Sequence, residues 1–242
     1  MLNNRVRELL VPLKKERLNE KVASEIKRLI FSNKIGIGEK LPSERDLAAQ
    51  LNVSRVVVRE ALRSLEQSGL IEIRPGVAGG AFVVYNLHMP LFNTARDLIT
   101  SGKVSLSHFV GARRAIECFS VKLATKNATQ ADIERLHRID EAFIADLADR
   151  KKFREHHTAF HIKIAELSRN PLIKLMVESV FELLNRLRPD TFQSEKFIRD
   201  TYKRHEAILE AMKKKNIGLC EQLMAIDAEY TKHLKNIRLR LR

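Results

Sequence analysis

Two serines, Ser43 and Ser54, constrain the fold of this chain more than any other feature. Each stands just before an apolar-periodic segment, where a side-chain oxygen can accept a hydrogen bond from the free N–H groups of a first helical turn. Asp46, three positions beyond Ser43, brings the first of these close to a capping box. The segment opened by Pro42 and Ser43 carries Leu47, Ala48 and Leu51. After a short Asn52-Val53 turn, the segment opened by Ser54 runs from Arg55 to about Ser68, with Val58, Ala61, Leu62 and Leu65 inward. Gly69 ends it, as a glycine just past a helix does. Val22, Ile26, Leu29 and Ile30 predict an earlier helix from Leu18 to about Ser32, broken by Gly36 and Gly38. Two β-type runs, Leu70–Ile73 and Ala81–Val84, flank the turn-rich stretch Arg74–Gly80, which is a hairpin signal.

The order helix, helix, turn, helix, strand, strand describes a winged helix-turn-helix. After Tyr85-Asn86 the character changes. From His88 onward there is no strand signal, and helical periods recur at about 88–101, 106–125, 130–149, 152–169, 172–187, 195–214 and 217–239. The expected fold is therefore mainly α: a winged helix-turn-helix domain over residues 1–86, then an all-helical bundle of six or seven helices over 87–242.

Composition narrows the class. Lys and Arg number 44 against 30 Asp and Glu, a formal net charge of +14. This favours polyanion partners, nucleic acid or an anionic membrane surface. The excess is spread along the chain, 15 basic to 10 acidic in residues 1–86 and 29 to 20 beyond, so charge alone locates no binding face. The longest run without a charged residue, Pro75–Ala95, is rich in Gly, Pro and Asn and cannot span a membrane as a helix. The first residues lack a long apolar core and a small-residue cleavage site, so a secretory signal is not expected. Two cysteines, Cys118 and Cys220, make no disulfide framework. A cytoplasmic protein is the expectation.

A helix fits the major groove, so the segment after Ser54 is the natural reader of DNA. It offers Arg55, Val56, Val57, Arg59 and Arg63. Arginine can bridge two acceptors on guanine or grip phosphate, and valine can meet a thymine methyl. On pattern alone the same arginines could be ordinary surface residues. The blocks Leu41-Pro42-Ser43-Glu44-Arg45-Asp46-Leu47-Ala48, Val53-Ser54-Arg55, Val58-Arg59-Glu60-Ala61-Leu62 and Gly69-Leu70-Ile71 resemble the GntR family of bacterial transcription regulators. The resemblance covers residues 18–84 without a gap. Asn33 and Ile37 replace the family's usual Gly and Pro before the first block, which implies an altered loop. The resemblance places Arg45, Ser54, Arg55, Val56, Val57, Arg59 and the wing residue Gly76 at DNA-contact positions. Val56 and Val57 stand where relatives often carry polar contacts.

The second part holds a suggestive set of histidines. His157 and His161, four apart, share one helix face and can chelate one metal, and His205 and His233 lie on two later predicted helices. Four imidazoles suit zinc or nickel; scattered histidines with no common role would look the same. Phe160-His161-Ile162, Asn170-Pro171-Leu172 and Arg113-Arg114-Ala115-Ile116-Glu117 resemble the FCD effector domain of the FadR-like branch of this family. That likeness implies a metal held by an Asp, a His four residues later and two further His. Here His157 stands at the Asp position, and His161, His205 and His233 complete the expected set. The likeness also places Arg113 where an effector carboxylate is met; on spacing alone it could equally form an i,i+4 surface ion pair with Glu117.

Enzyme signatures are missing. Thr158 follows His157, so the general-base Glu of a His-Glu-x-x-His metalloprotease is lacking, and no nucleophile elbow or phosphate-cradling glycine loop occurs. The expectation is a regulator, by default a repressor. It would act as a homodimer on palindromic operator DNA and answer to a small organic acid with a divalent transition metal. A sensor of metal alone is the alternative, and a metal-dependent hydrolase fused to a DNA-binding domain a weaker one.

Overall fold

The computed structural model describes residues 17–145, 150–187 and 194–229, which divide into two compact units between Leu87 and His88. The first contains helices α1 (Leu18–Phe31), α2 (Glu44–Gln50) and α3 (Arg55–Gln67) and strands β1 (Ile71–Arg74) and β2 (Gly80–Val83). Both serine caps form. Ser43 Oγ accepts from the Asp46 N–H at 3.2 Å, and Ser54 Oγ accepts from the Val57 N–H at 3.3 Å. Helix α3 buries Val58, Ala61, Leu62 and Leu65 in one cluster with Val22, Ile26 and Ile30 of α1 and Leu47 and Ala48 of α2. Each large aliphatic side chain so buried stabilises the unit by roughly 1.5–3 kcal/mol.

The strands pair antiparallel, with Ile71 opposite Val83 and Arg74 opposite Gly80. Strand β1 begins one residue later than the apolar run suggests, because Leu70 N–H still closes α3 by donating to Leu65 C=O at 3.0 Å. Gly69 is needed at that turn. Its φ is +72°, and a Cβ there would lie 2.2 Å from Asn86 O. The segment before α2 adds a partial third strand on the far side of β2, through Leu41 N–H to Ala81 C=O and Val83 N–H to Glu39 C=O. Asn33 closes α1 in the left-handed region at φ 55°, which asparagine tolerates, so the glycine expected there is dispensable.

The second unit contains seven helices among the described residues: α4 (His88–Thr100), α5 (Leu106–Asn127), α6 (Gln130–Ala145), α7 (Arg150–Leu167), α8 (Pro171–Leu187), α9 (Glu195–Lys213) and α10 (Ile217–Glu229). The breaks fall near the expected turns; the one at Pro189-Asp190, and the continuation of the last helix to 239, lie outside the described residues. Helix α5 packs on α7, α8 and α10, while α6 packs on α7 and α9. One apolar cluster gathers Val121, Leu136, Phe160, Ile164, Ile208 and Met224; another gathers Phe92, Val110, Val177, Phe181 and Leu184. Arg113 and Glu117 of α5 are buried beside them, together with polar residues of α7, α9 and α10.

Candidate functional site

The first unit presents a basic face. Arg55, Val56, Arg59 and Arg63 are exposed on α3, Val56 to 65%. Val57 is not exposed as the sequence suggested. It is half-buried and packs against the N-terminal core, because it lies one turn before Ala61 on the inner face. Glu44, at the start of α2, ties the two helices of the motif together. Its carboxylate accepts from Arg59 Nη2 at 2.8 Å and Nε at 3.1 Å, and stands 3.8 Å from Arg55 Nη2. The hydrogen bond from Arg59 holds Glu44 below the usual carboxylate range. Arg45 is exposed, with its Nε 3.6 Å from Asp46 Oδ1, and the Ser54 hydroxyl is engaged as a helix cap. In the wing, the Arg74 guanidinium lies 4.4 Å from the Phe82 ring centroid and Lys40 Nζ 5.7 Å from it, so two cations share one ring. Gly76 sits in the exposed wing turn at φ +99°, with open space where a Cβ would be.

The second unit hides its polar groups. His157 and His161 of α7, His205 of α9 and Asp227 of α10 are all buried, and one donor atom from each lies within 4.8 Å of the others. Asp227 Oδ2 is 3.4 Å from His161 Nε2 and 3.6 Å from Arg113 Nη2; its Oδ1 accepts from Arg204 Nε at 2.9 Å. Arg113 is fully buried and also donates from Nε to Glu117, while its guanidinium lies over the Phe181 ring at 5.0 Å. Glu117 Oε2 stands 2.8 Å from His161 Nδ1, an ion-pair contact. His205 Nδ1 is 2.6 Å from Asp140 Oδ1 of α6, and its ring stacks on Phe160 at 3.9 Å.

Electrostatics follow this wiring. Burial lowers the pKa of His161, but Glu117 and Asp227 outweigh it and hold the imidazole above its usual value. Burial likewise opposes ionisation of Asp227, yet the histidines around it, His161 first, keep it well below the ordinary carboxylate range. Both ring nitrogens of His161 and Oδ2 of Asp227 are buried without a hydrogen-bond partner among the described residues. Three imidazoles and one carboxylate form the donor set of a borderline divalent ion, and separations below 4.8 Å suit ligand bonds of roughly 2.0–2.2 Å after small adjustments. The residues fit a transition metal.

Residues 18–83 match the family described as bacterial regulatory proteins, gntR family, and residues 109–228 match the FCD domain. The HTH-type transcriptional repressor NanR of Citrobacter rodentium is 31% identical over 209 residues, spanning 85% of this chain and 80% of that protein. The chain belongs to the GntR family. NanR of Cronobacter sakazakii shares 31% identity over the same shares of both chains. A solved structure, Streptococcus agalactiae GntR, covers 89% of this chain and 99% of its own with a TM-score of 0.60 at 22% identity, a likeness of fold. This GntR-family chain is a DNA-binding transcription regulator with an FCD domain, and its curated relatives are repressors rather than enzymes.

Within that GntR frame, the structure brings together His157, His161 and His205 of the expected metal set, with Arg113 beside them. His233 lies outside the described residues, and Asp227 stands in the cluster as the fourth donor. The sequence reading missed it, although a signal existed: Asp227 shares the buried face of α10 with Cys220 and Met224. A carboxylate thus stands in the cluster on α10, while His157 occupies the position on α7 where the likeness implies an Asp. Arg113 forms the ion pair with Glu117, but in the interior rather than on a helix surface.

Proposed function

We propose that this regulator is a ligand-responsive repressor whose FCD domain binds a small carboxylate together with a divalent transition metal such as zinc or nickel. The observation that carries the reading is the buried cluster of His157, His161, His205 and Asp227 directly beside Arg113. His157, His161, His205 and Asp227 would hold the ion. When bound, it would supply Lewis-acid coordination to an oxygen of the ligand. Arg113 would fork onto the ligand carboxylate, with Phe181 fixing the guanidinium plane. A divalent ion beside Asp227 keeps one positive charge, while Glu117 and Asp140 offset Arg113 and Arg204; the centre is then matched by a monoanion.

On the DNA side, Arg45, Ser54, Arg55, Val56, Arg59 and Gly76 form the reading face. Val56 is the apolar partner for a thymine methyl, and the half-buried Val57 supports the helix from beneath. A homodimer on a palindromic operator suits such a domain, since two-fold symmetry in the protein matches two-fold symmetry in DNA. Exposed Leu91, Leu98 and Met176 offer apolar surface for a second copy. No described helix is long and apolar enough to cross a membrane, in keeping with a cytoplasmic regulator. Ligand binding acts as a population shift between states of different operator affinity.

A second reading, a sensor of metal alone, is favoured by one observation: Arg113 is already held by Glu117 and Asp227. Operator titrations of the metal-free chain, the zinc-loaded chain and the zinc-loaded chain with a panel of small hydroxy- and keto-acids separate the two. An acid that changes operator affinity only with zinc supports the first, and a change with zinc alone supports the second. Affinity indifferent to both sinks the switch.

A further inference from the structure

We infer that Asp140, on a helix that contributes no donor to the buried cluster, is a positioning residue for the metal ligand His205. The inference rests on the metal reading above. His205 has two degrees of freedom that decide whether it can ligate: the plane of its ring and the nitrogen that carries the proton. Phe160 fixes the plane, with the rings 3.9 Å apart and 4° from parallel. Asp140 fixes the proton. Its Oδ1 lies 2.6 Å from Nδ1, so an ionised Asp140 requires Nδ1 to donate and leaves the Nε2 lone pair as the ligating one. A carboxylate behind a ligating imidazole also raises its basicity.

The alternative is that this bridge merely joins α6 to α9. Two observations oppose it. Both side chains are buried, at 0% and 1% exposure, and Asp140 Oδ2 has no hydrogen-bond partner among the described residues. A buried carboxylate left half-satisfied is a poor helix tie, since apolar side chains at such a pair are often as stabilising or more so. Asp140 also occupies the inward stripe of α6 with Ile133 and Leu136, where an apolar residue would pack. The charge makes sense where a cation shares the enclosure. Glu117 stands similarly behind His161 Nδ1, but it also holds Arg113, so Asp140 is the cleaner residue to test.

The test measures zinc affinity of the full chain by competition with a chromophoric chelator, for the unaltered protein, Asp140→Asn, Asp140→Ala and His161→Ala. Helical circular dichroism of each metal-free variant verifies folding, and the near-isosteric Asn variant guards against collapse of the Ala one. Loss of about 10–100-fold in affinity is expected for the Asp140 variants, greater for Ala than for Asn. Side-chain nitrogen NMR of His205 supplies a readout that a purely structural role would leave unmoved. The ring should be Nδ1-protonated in the unaltered chain and populate the Nε2-protonated tautomer in Asp140→Ala. Zinc bound equally well by the unaltered chain and Asp140→Asn, within about twofold and with His161→Ala impaired, overturns the role of Asp140 alone. An unaltered chain that binds no zinc overturns the metal reading and this inference with it.

Discussion

Replacing Asp227 tests the bundle centre most sharply, because it affects the metal-free and metal-loaded protein in different ways. Without metal, Asp227 faces Arg113, Arg204 and His161 in the interior. Asp227→Asn keeps the shape and removes the charge, leaving two guanidiniums short of a partner. Breaking a buried ion pair from one side costs about 3–5 kcal/mol. At about 2–4 °C per kcal/mol for a domain this size, the metal-free melting point should fall by roughly 6–20 °C. With metal, a ligand that binds only the folded chain adds about 2.7 kcal/mol at a hundredfold excess over its Kd. The unaltered chain should therefore melt about 5–11 °C higher with zinc at that excess. Asp227→Asn should lose most of this increment as well as the baseline, whereas His233→Ala should retain both. Differential scanning calorimetry with and without chelator reads the two quantities separately. An undiminished zinc increment in Asp227→Asn, or its loss in His233→Ala, would refute the assignment of the fourth donor.

Other expectations follow from the same geometry. Arg59→Ala should weaken operator binding by about 1–3 kcal/mol in an anisotropy titration; an unchanged affinity would remove Arg59 from the interface. Gly69→Ala should destabilise the winged domain by about 1–3 kcal/mol, because the left-handed φ and the approach of Asn86 O both resist a Cβ, and a denaturant titration would show it. Burial, aided by the neighbouring Glu117, pushes the Cys118 thiol up to about 11. Its alkylation by iodoacetamide should therefore be slow at pH 8 and accelerate toward pH 11; rapid labelling at pH 8 would contradict that environment.

The sequence was most legible where structure is local. Ser43, Ser54 and Gly69 act within one helical turn of their own positions, so caps, helix limits and the hairpin could be read from spacing. Val57 was misplaced because a helix start gives too few residues to orient an apolar face. The bundle centre was less legible because its parts come from α5, α6, α7, α9 and α10, and only packing brings them together. Arg113 and Glu117 show the limit well: their i,i+4 spacing gives the pair, but not that it is buried. Asp140 and Asp227 carried a readable anomaly, a carboxylate within an apolar stripe, whereas the histidine pattern pointed to His233, which lies outside the described residues.

The placement of the four donors has a mechanical consequence. One pair sits on α7, one donor on α9 and one on α10, so an ion bound by all four would be a reversible cross-link closing the long chain loop from α7 to α10. Such a staple removes freedom chiefly from the open chain, and its benefit grows slowly with loop length. Helices α9 and α10 would each be held to it through a single side chain, His205 and Asp227. Metal supply would then set how firmly α9 and α10 are pinned to α7, and backbone amide exchange along both would register the staple opening and closing.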